Sequence, residues 1–408
     1  MKPLLLRNFP FLRLWIGQVT SQIGDRIFQL ALAWWVLQST GNAFYLGLLM
    51  VLSSLPAVVL GPIGGAALDA FDRKKVMVLA DLGRALLVGT LAFLALRGQL
   101  SIGWVFATVP LLAALAAFFN PGISASIPQL VEEADLNEGV ALQTMMSSFA
   151  GFIGPVFGGG LIAILGVGGG LAFDVASYLV SALLLGTLPL SKGTGKTQLK
   201  EVASQLVEGL RFTLAQKTLF RLLLGFAGTN LFLVPNMILL PMYVSLVLKG
   251  TPAQLGFLEG AIAVGMAAAS AWIAHRGEVA NKRFLVLFMI LLTAVASLGM
   301  GLARDAYASI ALQLLIGVAV AGINVNLGLV FQRMVPPEMK GRFFSLVEMV
   351  SFCSFPLAFF WAGLAARATS VPVTYFLCAG GLVLVTVYLA GIPGLSEIGK
   401  EESKVTVP

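Results

Sequence analysis

Asp25 and Arg26 stand side by side within an apolar stretch, 11–37, that is long enough to cross a bilayer. At about 1.5 Å per helical residue they lie roughly 18 Å from the end of that stretch, where an ionised group costs on the order of 3 kcal/mol or more. Two roles can offset that cost. Asp25 can exchange a proton as access to it alternates, because low polarity favours the neutral carboxyl and a neighbouring cation favours the ionised one. Alternatively it pairs with a group on another helix and serves structure alone. Asp81 and Arg84 are three residues apart on one helical face, which reads as an ion pair or, for Arg84, as a contact for an anionic substrate. Asp174, Glu259 and Glu348 fall within about 10 Å of the ends of their apolar stretches, where water reaches a carboxyl. Transport, capping and pairing are all open to them. Asn230, Asn236, Asn324 and Asn326 can hydrogen-bond a ligand or join helices.

Other chemistries find no support. His275 is the only histidine and reads as a solvated loop residue, and Cys353 and Cys378 sit in apolar runs, so neither a metal centre nor a disulfide framework is expected. The run Gly193-Thr-Gly195-Lys196-Thr197 looks like the end of a nucleotide-binding loop, but Leu190 stands where its first glycine belongs and no strand precedes it. No nucleophile has a base at hand. The expectation is a chain that is not an enzyme and needs no cofactor or metal.

The elements that must position these residues are membrane helices. Of 408 residues 58% are apolar and only 11% charged, and the mean hydropathy is +0.93. A soluble chain carries roughly 25% charged residues, so lipid is the solvent here. That excludes a soluble enzyme, a collagen-like fibre, a disordered chain and a disulfide-stapled domain. The apolar stretches are continuous rather than alternating, which predicts helices and not a barrel. The first runs past signal-peptide length, so no cleavable signal is expected. Twelve spans are predicted, at 11–37, 44–68, 76–96, 102–120, 138–165, 168–190, 218–248, 253–274, 283–303, 307–331, 342–367 and 372–392. Of the 26 Lys and Arg, 20 then fall on one side and only Arg97, Lys249, Arg304 and Arg367 on the other, with Arg26 and Arg84 inside spans. Positive loops stay in the cytoplasm, so both termini are predicted there, and the net charge of +7 serves topology rather than nucleic acid.

The longest polar stretch, 191–217, divides the chain into six-helix halves, 1–190 and 218–393, with a tail from 394 to 408. Within it, 198–214 reads as an amphipathic helix on the inner membrane face. Gln129-Leu-Val-Glu-Glu after span four and Gln332-Arg-Met-Val-Pro-Pro-Glu after span ten occupy equivalent places in the two halves. Repeated halves are a transporter device that places a site at the bilayer midplane.

Gly65-Ala-Ala-Leu-Asp69-Ala-Phe-Asp72-Arg73-Lys74-Lys75 joins spans two and three. It resembles the signature loop of the major facilitator superfamily, matching it at Asp69, Arg73 and Lys74 and departing from it at Ala70 and Asp72. The resemblance implies a conformational latch at Gly65, Asp69, Asp72, Arg73 and Lys74, which Asp81 and Arg84 extend. Gly154-Pro155-Val-Phe-Gly158-Gly159 in span five resembles the Gly-Pro-x-x-Gly-Gly signature of the superfamily's antiporters, and its proline and glycines let a helix bend and slide. Gly61-Pro-Ile-Gly, the run 72–81 and the run 331–346 look like the macrolide-efflux branch of bacterial facilitators, whose wider group includes siderophore and lysophospholipid carriers.

The expectation is therefore an all-α integral membrane protein of twelve transmembrane helices in two six-helix bundles, in a bacterial inner membrane. It implies proton antiport of hydrophobic or amphipathic compounds by alternating access, with a small substrate, protons and lipids as partners, and function as a monomer. The 28 Phe and 13 Met suit such a substrate, or simply face lipid. The alternatives are a dedicated siderophore or lysophospholipid carrier, and a non-transporting membrane sensor or scaffold.

Overall fold

The computed structural model describes residues 3–190, 199–276 and 282–392, with side chains described throughout except at 57–59, 61–70, 199–206 and 282. It is built of helices: α1 (Leu4–Arg7), α2 (Phe9–Thr40), α3 (Ala43–Ala70), α4 (Arg73–Leu96), α5 (Ile102–Leu130), α6 (Leu136–Gly186), α7 (Leu199–Ala215), α8 (Lys217–Leu233), α9 (Asn236–Met242), α10 (Pro252–Arg276), α11 (Lys282–Leu302), α12 (Ala306–Met334), α13 (Lys340–Ala368) and α14 (Val371–Ala390). In hydrocarbon a backbone must satisfy its own polar groups, and helices do so within each segment. Among the described residues, nine helices or helical runs are long and apolar enough to span a bilayer. The helix α2 falls outside that set because Gln18, Ser21, Asp25, Arg26 and Gln29 interrupt its apolar surface, and in α3 only the stretch before the undescribed side chains is counted.

Spans five and six, expected as separate helices with a boundary between 165 and 168, are the two halves of the 51-residue α6, which is interrupted at Gly166. A straight helix of that length would reach about 76 Å, far beyond a hydrocarbon core of about 30 Å. The chain instead reverses at Gly166, whose φ of 71° and ψ of 179° suit a residue without a Cβ. Span seven runs from Lys217 to Val247, close to the expected 218–248, with its hydrogen bonding interrupted at Val234 and Pro235 between α8 and α9 and a π-helical turn at Tyr243–Val247. Pro235 cannot donate to the carbonyl of Leu231, and Trp361 Nε1 of α13 takes that oxygen at 2.9 Å. The predicted amphipathic segment is α7, while the glycine-rich run 193–197 lies outside the described residues. His275, expected in a loop, sits exposed in the last turn of α10.

The chain forms two compact units, Met1–Leu199 with Lys249–Gly260, and Lys200–Leu248 with Ala261–Pro408. In the first, α2 and α4 pack on α6, and α3 packs on α5, around Phe11, Leu14, Met77, Phe119, Ile123 and Leu185. In the second, α11 packs on α12 and α14, and α8 on α13 and α14, around Leu219, Leu222, Ile290, Phe331, Phe343 and Leu382. Large side chains such as Leu86, Leu183 and Leu384 remain exposed, as a lipid solvent permits.

The repeat seen in the sequence recurs in the backbone of both units. Helices α5 and α12 start after Ser101 and Asp305 and end at Val131 and Val335, whose extended backbones each lead through a 3₁₀ turn into α6 and α13. These residues keep one constant offset along the chain, and the same offset equates Glu138 with Arg342. Each of the two anchors the short helix that precedes its unit's first span. In the first unit Glu138 accepts the Leu4 N–H at 2.8 Å and faces Arg7, which also pairs with Asp135 at 2.7 Å. The hydrogen bond to Asp135 holds the Arg7 guanidinium above its usual range. In the second unit Arg342 pairs with Glu208 of α7 at 2.7 Å, and Gly209 lies directly on the Arg342 carbonyl. The anchors match in place and are opposite in sign.

Candidate functional site

Four charged residues separated by up to 149 positions in the chain come together inside the first unit, and they are Asp25, Asp81, Arg84 and Asp174. Three helices supply them. Asp25 is half-buried on α2, Asp81 and Arg84 are buried on α4, and Asp174 is 0% exposed on α6. The helices meet closely because Gly24 precedes Asp25. A Cβ on Gly24 would stand 2.1 Å from Ser177 Oγ and 2.4 Å from Asp174 Oδ1, so only glycine admits α6 at that level.

Tyr178 links the pieces. Its hydroxyl donates to Asp25 Oδ1 at 2.5 Å, and its ring lies 5.3 Å from the Arg84 guanidinium. Phe119 of α5 covers Arg84 at 4.1 Å. Cation–π contacts in desolvated surroundings are worth about 2 kcal/mol, so the two rings partly replace the water that Arg84 has lost. Arg84 Nη1 stands 3.6 Å from Asp81 Oδ1, an ion pair too long for a hydrogen bond. Both Asp81 oxygens, together with Nε and Nη2 of Arg84, have no hydrogen-bond partner among the described residues, although the Ser181 and Tyr178 hydroxyls lie within looser polar reach. Asp174 Oδ1 accepts from Ser177 at 3.2 Å, while its Oδ2 has no partner among the described residues. Ser181 also receives Gln18 Nε2 at 3.4 Å. Three carboxyls thus share one guanidinium, and protons are the counter-charge that can balance the excess. The sequence expectation that water reaches Asp174 is corrected by its complete burial, which follows from the close approach of α2.

Arg26 points elsewhere. Its head is exposed beside Gln29 at 3.4 Å, and its stem fills the space left by Gly154. The Gly-Pro signature of α6 lies along this surface: a Cβ on Gly154 would meet Arg26 Cβ at 2.6 Å, and one on Gly158 would meet Ile27 at 2.9 Å. In the same unit Gly159 and Pro155 receive the start of α10, where Gly256 approaches the Pro155 carbonyl. Glu259 is half-buried within electrostatic reach of Arg26.

The signature-loop residues divide. Gly65 and Asp69 fall where side chains lie outside the described residues. Asp72 caps α4 by accepting the Lys75 N–H at 3.2 Å. Arg73 Nη1 donates to Ala125 O at 2.9 Å, and Lys74 Nζ to Leu188 O at 3.2 Å, so both bind the carbonyl-rich ends of α5 and α6.

In the second unit Asn236 sits at the break in span seven. It exchanges hydrogen bonds with Gln313 of α12 at 3.0 and 3.3 Å and accepts the Tyr375 hydroxyl at 3.1 Å. Tyr243 donates toward Ala303 O at 2.9 Å and packs edge-on against Tyr375. Asn326 turns back to Gly322 O of its own helix, Asn324 is exposed, and Asn230 Nδ2 is buried without a partner among the described residues. Glu348 is exposed on a face of α13 that also carries Phe344, Ser345 and Ser351. Sequence reasoning missed Tyr178, Phe119, Gln313, Tyr375 and Trp361. Of these only Gln313 left a signal, as an amide inside an apolar span.

The profile of a family described as transmembrane secretion effectors matches residues 3–405. Macrolide efflux protein A of Streptococcus pyogenes is 26% identical over 403 residues, covering 97% of this chain and 98% of that protein. The multidrug efflux pump Tap of Mycolicibacterium fortuitum is 27% identical over 405 residues, covering 95% and 97%. Among solved structures, a bacterial homologue of the iron transporter ferroportin in an inward-facing state superposes with a TM-score of 0.75 at 16% identity, over 93% of this chain and 98% of that one. A bacterial homologue of the lysosomal transporter Spinster gives 0.67 at 16% identity, over 98% and 97%.

Proposed function

Because the chain belongs to the transmembrane secretion effector family of the major facilitator superfamily, and is thus a membrane transporter and not an enzyme, we propose that it exports bulky hydrophobic or amphipathic compounds in exchange for protons. The observation that carries this reading is the buried cluster in which Asp25 meets Tyr178 and three carboxyls share Arg84. Exchange needs a group that binds either a proton or a compensating interaction, and Asp25 is the member of the cluster with partial exposure. The Gly-Pro signature beside it supports exchange, since α2 slides only where a flat partner surface allows. The names of the macrolide and multidrug efflux relatives support the substrate class. The basic ends of the helices, with both termini, face the cytoplasm of a bacterial inner membrane in this reading, and one chain acts as a monomer, with no cofactor.

The test is transport in proteoliposomes under an imposed pH gradient, with ethidium and erythromycin as probes. The wild-type chain moves the probe against protons, and Asp25→Asn weakens the dependence on the gradient. Unaltered gradient-driven flux in Asp25→Asn overturns the assignment of Asp25. Flux of a siderophore or lysophospholipid instead of both probes overturns the substrate class.

A further inference from the structure

Asp174, like Asp81, is fully buried, and its burial has no use in the role given to Asp25. It accepts one hydrogen bond, from Ser177 of its own helix, and leaves Oδ2 without a partner among the described residues. The charged and polar groups that act on it are Asp25 on α2, Asp81 and Arg84 on α4, and Ser177 and Tyr178 on α6. Arg84 is the only cation among them, and its one ion pair is with Asp81. A carboxylate so placed would be an unpaired charge in a dry site, whereas a neutral carboxyl is tolerated there.

We propose that Asp174 is a second proton-carrying carboxyl of the cycle, neutral in the state shown here and ionised when α2 and α6 separate at Gly24 and free donors of Arg84 reach it. The O–H bond of Asp174 breaks, water accepts the proton, and the carboxylate takes up the unpartnered Nε and Nη2 of Arg84. The reverse step returns Arg84 to Asp81 and a proton to Asp174. No electrons move. The inference rests on the antiport reading and adds a prediction to it: the cluster carries one proton on Asp25 and one on Asp174.

Infrared difference spectroscopy of the purified full chain in lipid nanodiscs reads the proton directly as the stretch of a protonated carboxyl. In an Asp25→Asn background the band remains, disappears when Asp174→Asn is added, and moves to higher wavenumber when Ser177→Ala is added, which removes the Ser177 hydroxyl from the Asp174 carboxyl and backbone carbonyl. In proteoliposomes Asp174→Asn halves the protons moved per ethidium exported. A band that survives Asp174→Asn in the Asp25→Asn background, or an unchanged proton ratio in Asp174→Asn alone, overturns the proposal. Should Asp174→Asn not fold, a band unmoved by Ser177→Ala overturns it equally. A wild-type chain that exports ethidium without moving protons defeats the antiport reading itself, and that result is distinct from an intact ratio in Asp174→Asn alone.

Discussion

Arg84 has more donors than partners, and its position depends on two aromatic faces as much as on Asp81. A flat guanidinium can lie on Phe119 and Tyr178 while keeping its edge free for a carboxylate, which an ammonium cannot do. Arg84→Lys keeps the charge and loses that geometry. Its expected cost is about 2 kcal/mol of stability, read as a lowered melting temperature in detergent, and a melting temperature equal to wild type would refute the stacking argument. The four charged members of the cluster were visible in the sequence as charges inside apolar runs. What the sequence did not reveal was that they converge, because the convergence depends on Gly24 and on the register of α2 against α6. Tyr178 and Phe119 were hidden for a plainer reason: an aromatic ring in a membrane helix is ordinary, and the chain has 28 Phe and 6 Tyr.

Among the elements, span seven is the one whose interruption is bridged from a neighbouring helix. Pro235 releases the Leu231 carbonyl, and Trp361 captures it from α13, so two helices are joined at the point where one is interrupted. Trp361→Phe retains a ring for the edge contact with Phe232 and removes the donor. A buried carbonyl left alone costs about 1–3 kcal/mol, so the variant should melt earlier, and an unchanged melting curve would show that another group serves Leu231. The glycine surface of α6 makes a second prediction. Gly158→Leu drives a side chain into Ile27 and should separate α2 from α6, abolishing export and displacing Tyr178 from Asp25. Undiminished ethidium export by that variant would show the surface to be dispensable. Helix positions were legible from hydropathy alone, and so was the boundary at Gly166, which falls between the expected spans 138–165 and 168–190, whereas the interruption at Pro235 was not, since it does not break the apolar run that defined span seven.

At the scale of the whole molecule the two anchors are the clearest record of the internal repeat. Arg7 meets Asp135 and Glu138 in one unit, and Glu208 meets Arg342 in the other. These pairs are partly exposed, so water screens them and each contributes little. Glu208→Arg should therefore cost little stability, with most of the loss recovered by adding Arg342→Glu. A double variant no better than the single would mean that charge is immaterial at that position. Labelling of single cysteines placed at 75 and 304 from either side of sealed bacterial vesicles checks the orientation: the first is expected to react only from the cytoplasm, the second only from outside. The opposite polarity of the anchors makes the two leading helices non-interchangeable: an α1 set in the place of α7 would bring Arg7 to Arg342, and an α7 set in the place of α1 would bring Glu208 to Glu138.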